Sequence, residues 1–109
     1  MIYLISSGCG DAAEIKIGNS KNLIERKGKL QIGNPKPLHV VAKIEGDHNA
    51  EAAIHRHLSM YATPSNEWFY PCPEVLNMKN WIVAESQSRL VSAREVISGL
   101  VTGRFRQSV

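Results

Sequence analysis

Four polar residues stand where apolar patterning would press them against buried surface: Tyr3, Lys16, Arg26 and Glu51. Tyr3 interrupts the run Ile2-Tyr3-Leu4-Ile5, and Lys16 sits between Ile15 and Ile17. Strand side chains alternate, so Tyr3 and Ile5 point one way, Ile2 and Leu4 the other, and Lys16 opposes its isoleucine neighbours. On a helical wheel Arg26 falls roughly 40° from Leu30, at the border of an apolar face. Glu51 lies at the edge of a second such face, one turn before His55. A tyrosine or lysine handles a proton, an arginine clamps a phosphate with its planar fork, and a carboxylate holds Mg²⁺; together they suit phosphodiester hydrolysis. Each residue also has a plainer role. Strand tyrosines pack, border arginines snorkel, and Glu51 with His55 makes an ordinary surface pair.

The elements that position these residues follow from local patterning. Residues 2–6 read as a strand that ends in the loop Ser7-Gly8-Cys9-Gly10-Asp11, and Glu14 to Gly18 reads as its antiparallel partner. In the matching register Tyr3 and Lys16 share a face while Ile15 and Ile17 join the core. Ser20 is the expected N-cap of a basic helix in which Leu23, Ile24 and Leu30 face inward, with Lys27 snorkelling between Leu23 and Ile24. Lys21 and Lys29 fan out on its solvent side, where they would add a salt-sensitive grip on DNA phosphates. Gly33-Asn34-Pro35-Lys36-Pro37 turns the chain into a third strand, residues 38–46, with Val40, Ala42 and Ile44 as its apolar face.

A second helix is expected from Asn49 to Tyr61, capped by Asp47 or Asn49, with Ala50, Ile54, His57, Leu58 and Tyr61 inward. Trp68-Phe69-Tyr70 is a dense aromatic patch, better suited to core packing than to base stacking. Pro73 fits the first turn of a third helix that runs on through Ile97, and the end from Gly99 is expected to fray. The organisation is one domain over 1–109, with a core at 2–72, a helical extension at 73–98 and a tail at 99–109. The fold class is α+β, a small three-stranded antiparallel sheet flanked by helices.

Bulk properties set wide bounds. The chain has 109 residues, 43% hydrophobic and 21% charged, as expected of a globular domain. A net charge of +3 permits nucleic-acid binding without requiring it. Cys9 and Cys72 form no CxxC pair, and a reduced cytoplasmic setting is the simpler expectation, with one disulfide as the alternative. No apolar run reaches the ~18 residues of a membrane span. HExxH, zinc-ligand spacing, a phosphate-binding glycine loop with Lys-Ser/Thr, and G-x-S-x-G are all absent.

The ordered pattern Ile2-Tyr3-Leu4, Ile15-Lys16-Ile17-Gly18-x-Ser20, Arg26, Leu30-Gln31-x-Gly33-Asn34-Pro35, Glu51-x-x-Ile54-His55-x-x-Leu58 and Glu67-Trp68-Phe69 resembles the GIY-YIG nuclease superfamily. The similarity runs over residues 2–70, and its nearest branch is the phage and bacterial one with a KIG-type second motif and an EWF-type ending. The resemblance implies metal-dependent, single-step hydrolysis of DNA by water, in a bacterial or phage-infected cell. It matches Tyr3 to the tyrosine near the attacking water, Arg26 to the arginine on the scissile phosphate, and Glu51 to the carboxylate on one Mg²⁺ or Mn²⁺. His55 is a secondary candidate there. Lys16 departs from the pattern, since a tyrosine stands at that place in many members; it would serve as base or as a phosphate contact. Lys27 departs too, where an apolar residue is usual. The rival expectation is a nuclease fold that cuts weakly or not at all and grips DNA or a protein partner, for example a phage accessory or inhibitor protein.

Overall fold

A computed structural model of the chain describes residues 1–19, 28–29, 31–32, 36–65 and 68–106. Three long strands come first: β1 (Ile2–Ser7), β2 (Glu14–Asn19) and β3 (Leu38–Ile44). Helix α1 (His48–His57), a two-residue strand β4 (Trp68–Phe69), helix α2 (Pro73–Ser86) and helix α3 (Ala93–Thr102) follow. The sheet is antiparallel with strand order β3-β1-β2-β4. It therefore has four strands where three were expected. A strand of two residues carries no periodicity to read, and Trp68-Phe69 looks in sequence like plain aromatic packing.

The β1–β2 hairpin turns through Gly8 and Gly10, whose φ angles of 97° and 82° fall in the region that disfavours a Cβ. Its register pairs Tyr3 with Gly18, Leu4 with Ile17 and Ile5 with Lys16. Ile2, Leu4, Ile15 and Ile17 thus share one face, and all four are buried in the main core with Ile54, Leu58, Phe69, Val75, Met78 and Ile82. Burying a side chain of this size contributes about 1.5–3 kcal/mol, so this face fixes the register.

On β3 the expected alternation fails at one point. Leu4 pairs with Ala42 but Ile5 with Val40, so an extra residue, Val41, bulges between them. The bulge carries Val40 onto the Ile5 face, where it is exposed, and brings Val41 against the main core.

Helix α1 starts where Asp47 accepts a hydrogen bond from the Ala50 amide at 2.8 Å. It ends at His57, earlier than expected. Leu58 leaves the helical path, and a 3₁₀ turn over Ser59–Tyr61 follows. His57 consequently faces solvent instead of the core, while Leu58 remains fully buried.

The expected long third helix is two helices. Pro73 does open α2, but the chain breaks after Ser86 and restarts at Ser92, which caps α3 in a reciprocal box with Glu95. Nor does the chain fray from Gly99. Helix α3 continues to Thr102, Gly103 closes it at φ 77°, and a 3₁₀ turn over Arg104–Arg106 buries Phe105 in the core. The reason lies in long-range contacts: Val91, Ala93, Val96 and Leu100 are buried in that core as well. Tyr61 donates to Glu74 at 2.7 Å, and Arg106 donates to the other oxygen of the same carboxylate at 3.2 Å. The Tyr61 bond to Glu74, with burial and the Glu74 charge, raises the Tyr61 phenol above its ordinary value of 10.0. Among the described residues no helix is long and apolar enough to cross a membrane, and Cys9 and Cys72 are free thiols.

Candidate functional site

Tyr3 and Lys16 come from neighbouring strands, and the register decides their relation. Tyr3 lies opposite Gly18 and Lys16 opposite Ile5, so both point away from the main core on one sheet face. Gly18 adds no side chain between them and the end of β2, and no described atom lies within 4 Å of where its Cβ would be. On β3, Lys43 pairs with Tyr3 and shares that face. Lys16 is 6% exposed. Trp68, its partner on β4, covers it, with the ammonium 5.9 Å from the ring centroid.

Glu51 reaches the same strand from its edge. Among the described residues β4 pairs with Ile15 and Lys16, and α1 meets β2 at the next residue. There His55 Nε2 lies 2.7 Å from the carbonyl oxygen of Ile17. A carbonyl only accepts, so Nε2 carries the proton. The His55 ring also meets Phe69 edge-on, with centroids 5.1 Å apart. The Glu51 carboxylate lies 3.7 Å from the same Nε2 and 3.9 Å from His48 Nδ1, with its side chain 18% exposed. Both separations exceed a hydrogen bond, so the carboxylate keeps lone pairs for another partner.

The donor set can be tested against a divalent ion. His55 Nε2 is a proton donor here and offers no lone pair. Among the described residues no three His, Cys, Asp or Glu side chains gather as a metal cluster. Among the residues described at this site, Glu51 is a hard oxygen donor with access to solvent. One carboxylate suits an ion such as Mg²⁺ that keeps most of its waters and takes the rest of its ligands from a phosphate.

Of the other expected site residues, Lys29 is exposed and helical. Arg26, Lys21 and the competing carboxylate Glu67 lie outside the described residues. Sequence reasoning passed over the link from His55 to Ile17. Its only signal was the one-turn spacing of Glu51 and His55, which reads equally well as a surface pair.

Comparison with family models matches residues 1–84 to the T5orf172 domain, a domain of the broader GIY-YIG nuclease clan. No curated protein and no solved structure gives a significant match.

Proposed function

The chain belongs to the T5orf172 domain family, and from that premise we propose that it is a divalent-metal-dependent endonuclease that hydrolyses DNA phosphodiesters in one step. The observation that carries this reading is the hairpin register, which sets Tyr3 and Lys16 on one sheet face, with Gly18 opposite Tyr3. Domains of this clan generally bind nucleic acid, and the family match spans most of the chain.

On this reading DNA lies across the Tyr3 face, with its scissile phosphate near Gly18. Tyr3 or Lys16 takes the proton of the attacking water. Arg26 offsets charge on the phosphate as it becomes five-coordinate. Glu51 would hold the divalent ion. The chemistry such an ion supplies is neutralisation of charge on the leaving oxygen. His55 and Ile17 keep the helix that carries Glu51 seated against the strand that carries Lys16.

Nicking of supercoiled plasmid in Mg²⁺ or Mn²⁺ tests the proposal. Wild type should cut, and Glu51→Ala and Glu51→Gln should both abolish cutting while DNA binding in EDTA survives. If Glu51→Gln cuts at the wild-type rate, the carboxylate is wrongly assigned. A wild type that binds DNA but never cuts it under either metal is a binding module.

A further inference from the structure

The C-terminal helices carry four arginines in the described chain beyond Arg56, and their carboxylate partners are unevenly shared. Glu95 and Glu85 both pair with Arg89, at 2.8 and 3.1 Å. Glu74 accepts from Arg106 and Tyr61. Arg94 and Arg104 are left with no carboxylate within 4 Å among the described residues. Arg94 also borders a wider cleft that includes Glu45 and Asp47, but neither reaches it, and Asp47 is engaged in capping α1.

These two arginines line one groove between α2 and α3. Its walls are Trp81 on one side, Arg94, Glu95, Ser98 and Thr102 on the other, and Arg104 at the end, around a volume of about 360 Å³. Arg94, Ser98 and Thr102 recur at four-residue spacing, so they form one stripe along α3. The Arg104 guanidinium lies 4.8 Å from the Trp81 ring centroid. Stacking holds its planar fork in place and lowers the entropy lost when it binds an anion. Thr102 donates its hydroxyl proton to the Gly99 carbonyl at 3.3 Å, while the two guanidinium groups and Ser98 are further donors lining the groove.

We propose that this groove is a second contact for the phosphodiester backbone of nucleic acid bound to the domain. The inference rests on the nucleic-acid reading above and extends it to a surface built mainly beyond residue 84, where the family match ends. Two guanidinium groups without a described carboxylate partner and a hydroxyl suit a singly charged, multiply accepting group such as a phosphodiester. The carboxylate lining the groove, Glu95, is paired with Arg89. Successive phosphodiesters recur at regular intervals along a strand, so one nucleic acid can contact the domain at more than one place. The groove supplies charge and no base-edge readout, so it would lengthen the footprint without adding sequence preference.

Fluorescence anisotropy with a labelled random-sequence duplex, run in EDTA over a series of salt concentrations, tests this. The double variant Arg94→Gln/Arg104→Gln should bind about tenfold more weakly near ~0.1 M salt, with the log–log salt slope reduced by roughly 1–2. Arg94→Lys/Arg104→Lys should recover the slope and only part of the affinity, because lysine keeps the charge and loses the fork. A double glutamine variant with the wild-type affinity and slope overturns the groove contact and leaves the nuclease reading standing. Weaker binding with an unchanged slope also overturns it, since that pattern marks a structural effect. A wild type with no affinity for the duplex overturns the nucleic-acid reading and the groove together.

Discussion

His55 Nε2 lies 2.7 Å from the carbonyl oxygen of Ile17, the residue that follows Lys16 in β2. One hydrogen bond thus ties the helix bearing Glu51 to the strand bearing Lys16, one residue beyond the described pairing with β4. Removing the donor leaves a part-buried carbonyl unsatisfied and takes away the ring contact with Phe69. His55→Ala should therefore destabilise the fold by about 1–3 kcal/mol, measured by urea unfolding. Its nicking rate should fall even at temperatures where it stays folded, because Glu51 is no longer held against β2. His55→Gln, which can still donate, should recover part of both losses. Full activity in folded His55→Ala would separate the Glu51 position from this hydrogen bond.

How far the sequence anticipates this arrangement depends on the range of the forces involved. Alternation excludes a one-residue slip of the hairpin, which would turn Leu4 and Ile17 out to water, but the register itself is not fixed by the sequence and emerges from the pairing of Leu4 with Ile17. The Asp47 cap and Pro73 helix start are local and equally readable. The bulge at Val41 is not, since alternation continues through it in sequence and only cross-strand pairing with Ile5 reveals it. His57 looked inward because the wheel assumed a helix to Tyr61, whereas Leu58 ends it. Burial of Phe105 depends on helices distant in sequence, which no local pattern encodes. For the site, Tyr3 and Lys16 share a face as the register predicts, whereas the Ile17 carbonyl as His55 partner needs three-dimensional packing.

Lys16 separates a proton-handling role from a spacing role. It is 6% exposed beneath Trp68. Lys16→Met keeps the stem and removes the amine, whereas Lys16→Tyr restores a group able to move a proton. If Lys16 acts in proton transfer, Lys16→Met should lower the nicking rate by about 10²–10⁴-fold, and Lys16→Tyr should retain more activity. Single-turnover rates over a pH series provide the measurement. Equal rates for the two variants would make the position a spacer.

The α3 cap gives a pH-dependent term. Hydrogen bonds from Arg89, then from the Ser92 backbone, hold the Glu95 carboxyl down at about 2, below its ordinary 4.5. Its pKa is lower in the folded chain, so its contribution is present above about 4.5 and is lost as pH falls towards 2. Glu95→Gln should lower the melting temperature at neutral pH, and the gap from wild type should close across that acid window. Ser92→Ala removes the hydroxyl that caps the Glu95 amide and should cost about 1 kcal/mol at neutral pH. A Glu95→Gln gap that persists unchanged into strong acid would contradict the assignment.

Two opposed effects meet at Gly99. The residue lies inside α3, where replacing glycine by alanine normally gains about 1 kcal/mol of helix propensity. A Cβ there, however, would sit 2.5 Å from Phe105 Cε2 and 2.7 Å from its Cζ. Phe105 is 3% exposed and belongs to the main core, so its ring has little space into which to move. Overpacking of this kind costs about 1–3 kcal/mol and should outweigh the gain in propensity. Gly99→Ala should thus be net destabilising in urea unfolding. Phe105→Ala should cost more, about 3–5 kcal/mol, by emptying the site. Gly99→Ala in a Phe105→Ala background should become neutral or stabilising, because the clash is gone and only the helix term remains. A Gly99→Ala chain more stable than wild type would mean that the Arg104–Arg106 turn yields easily and that Phe105 does not anchor it.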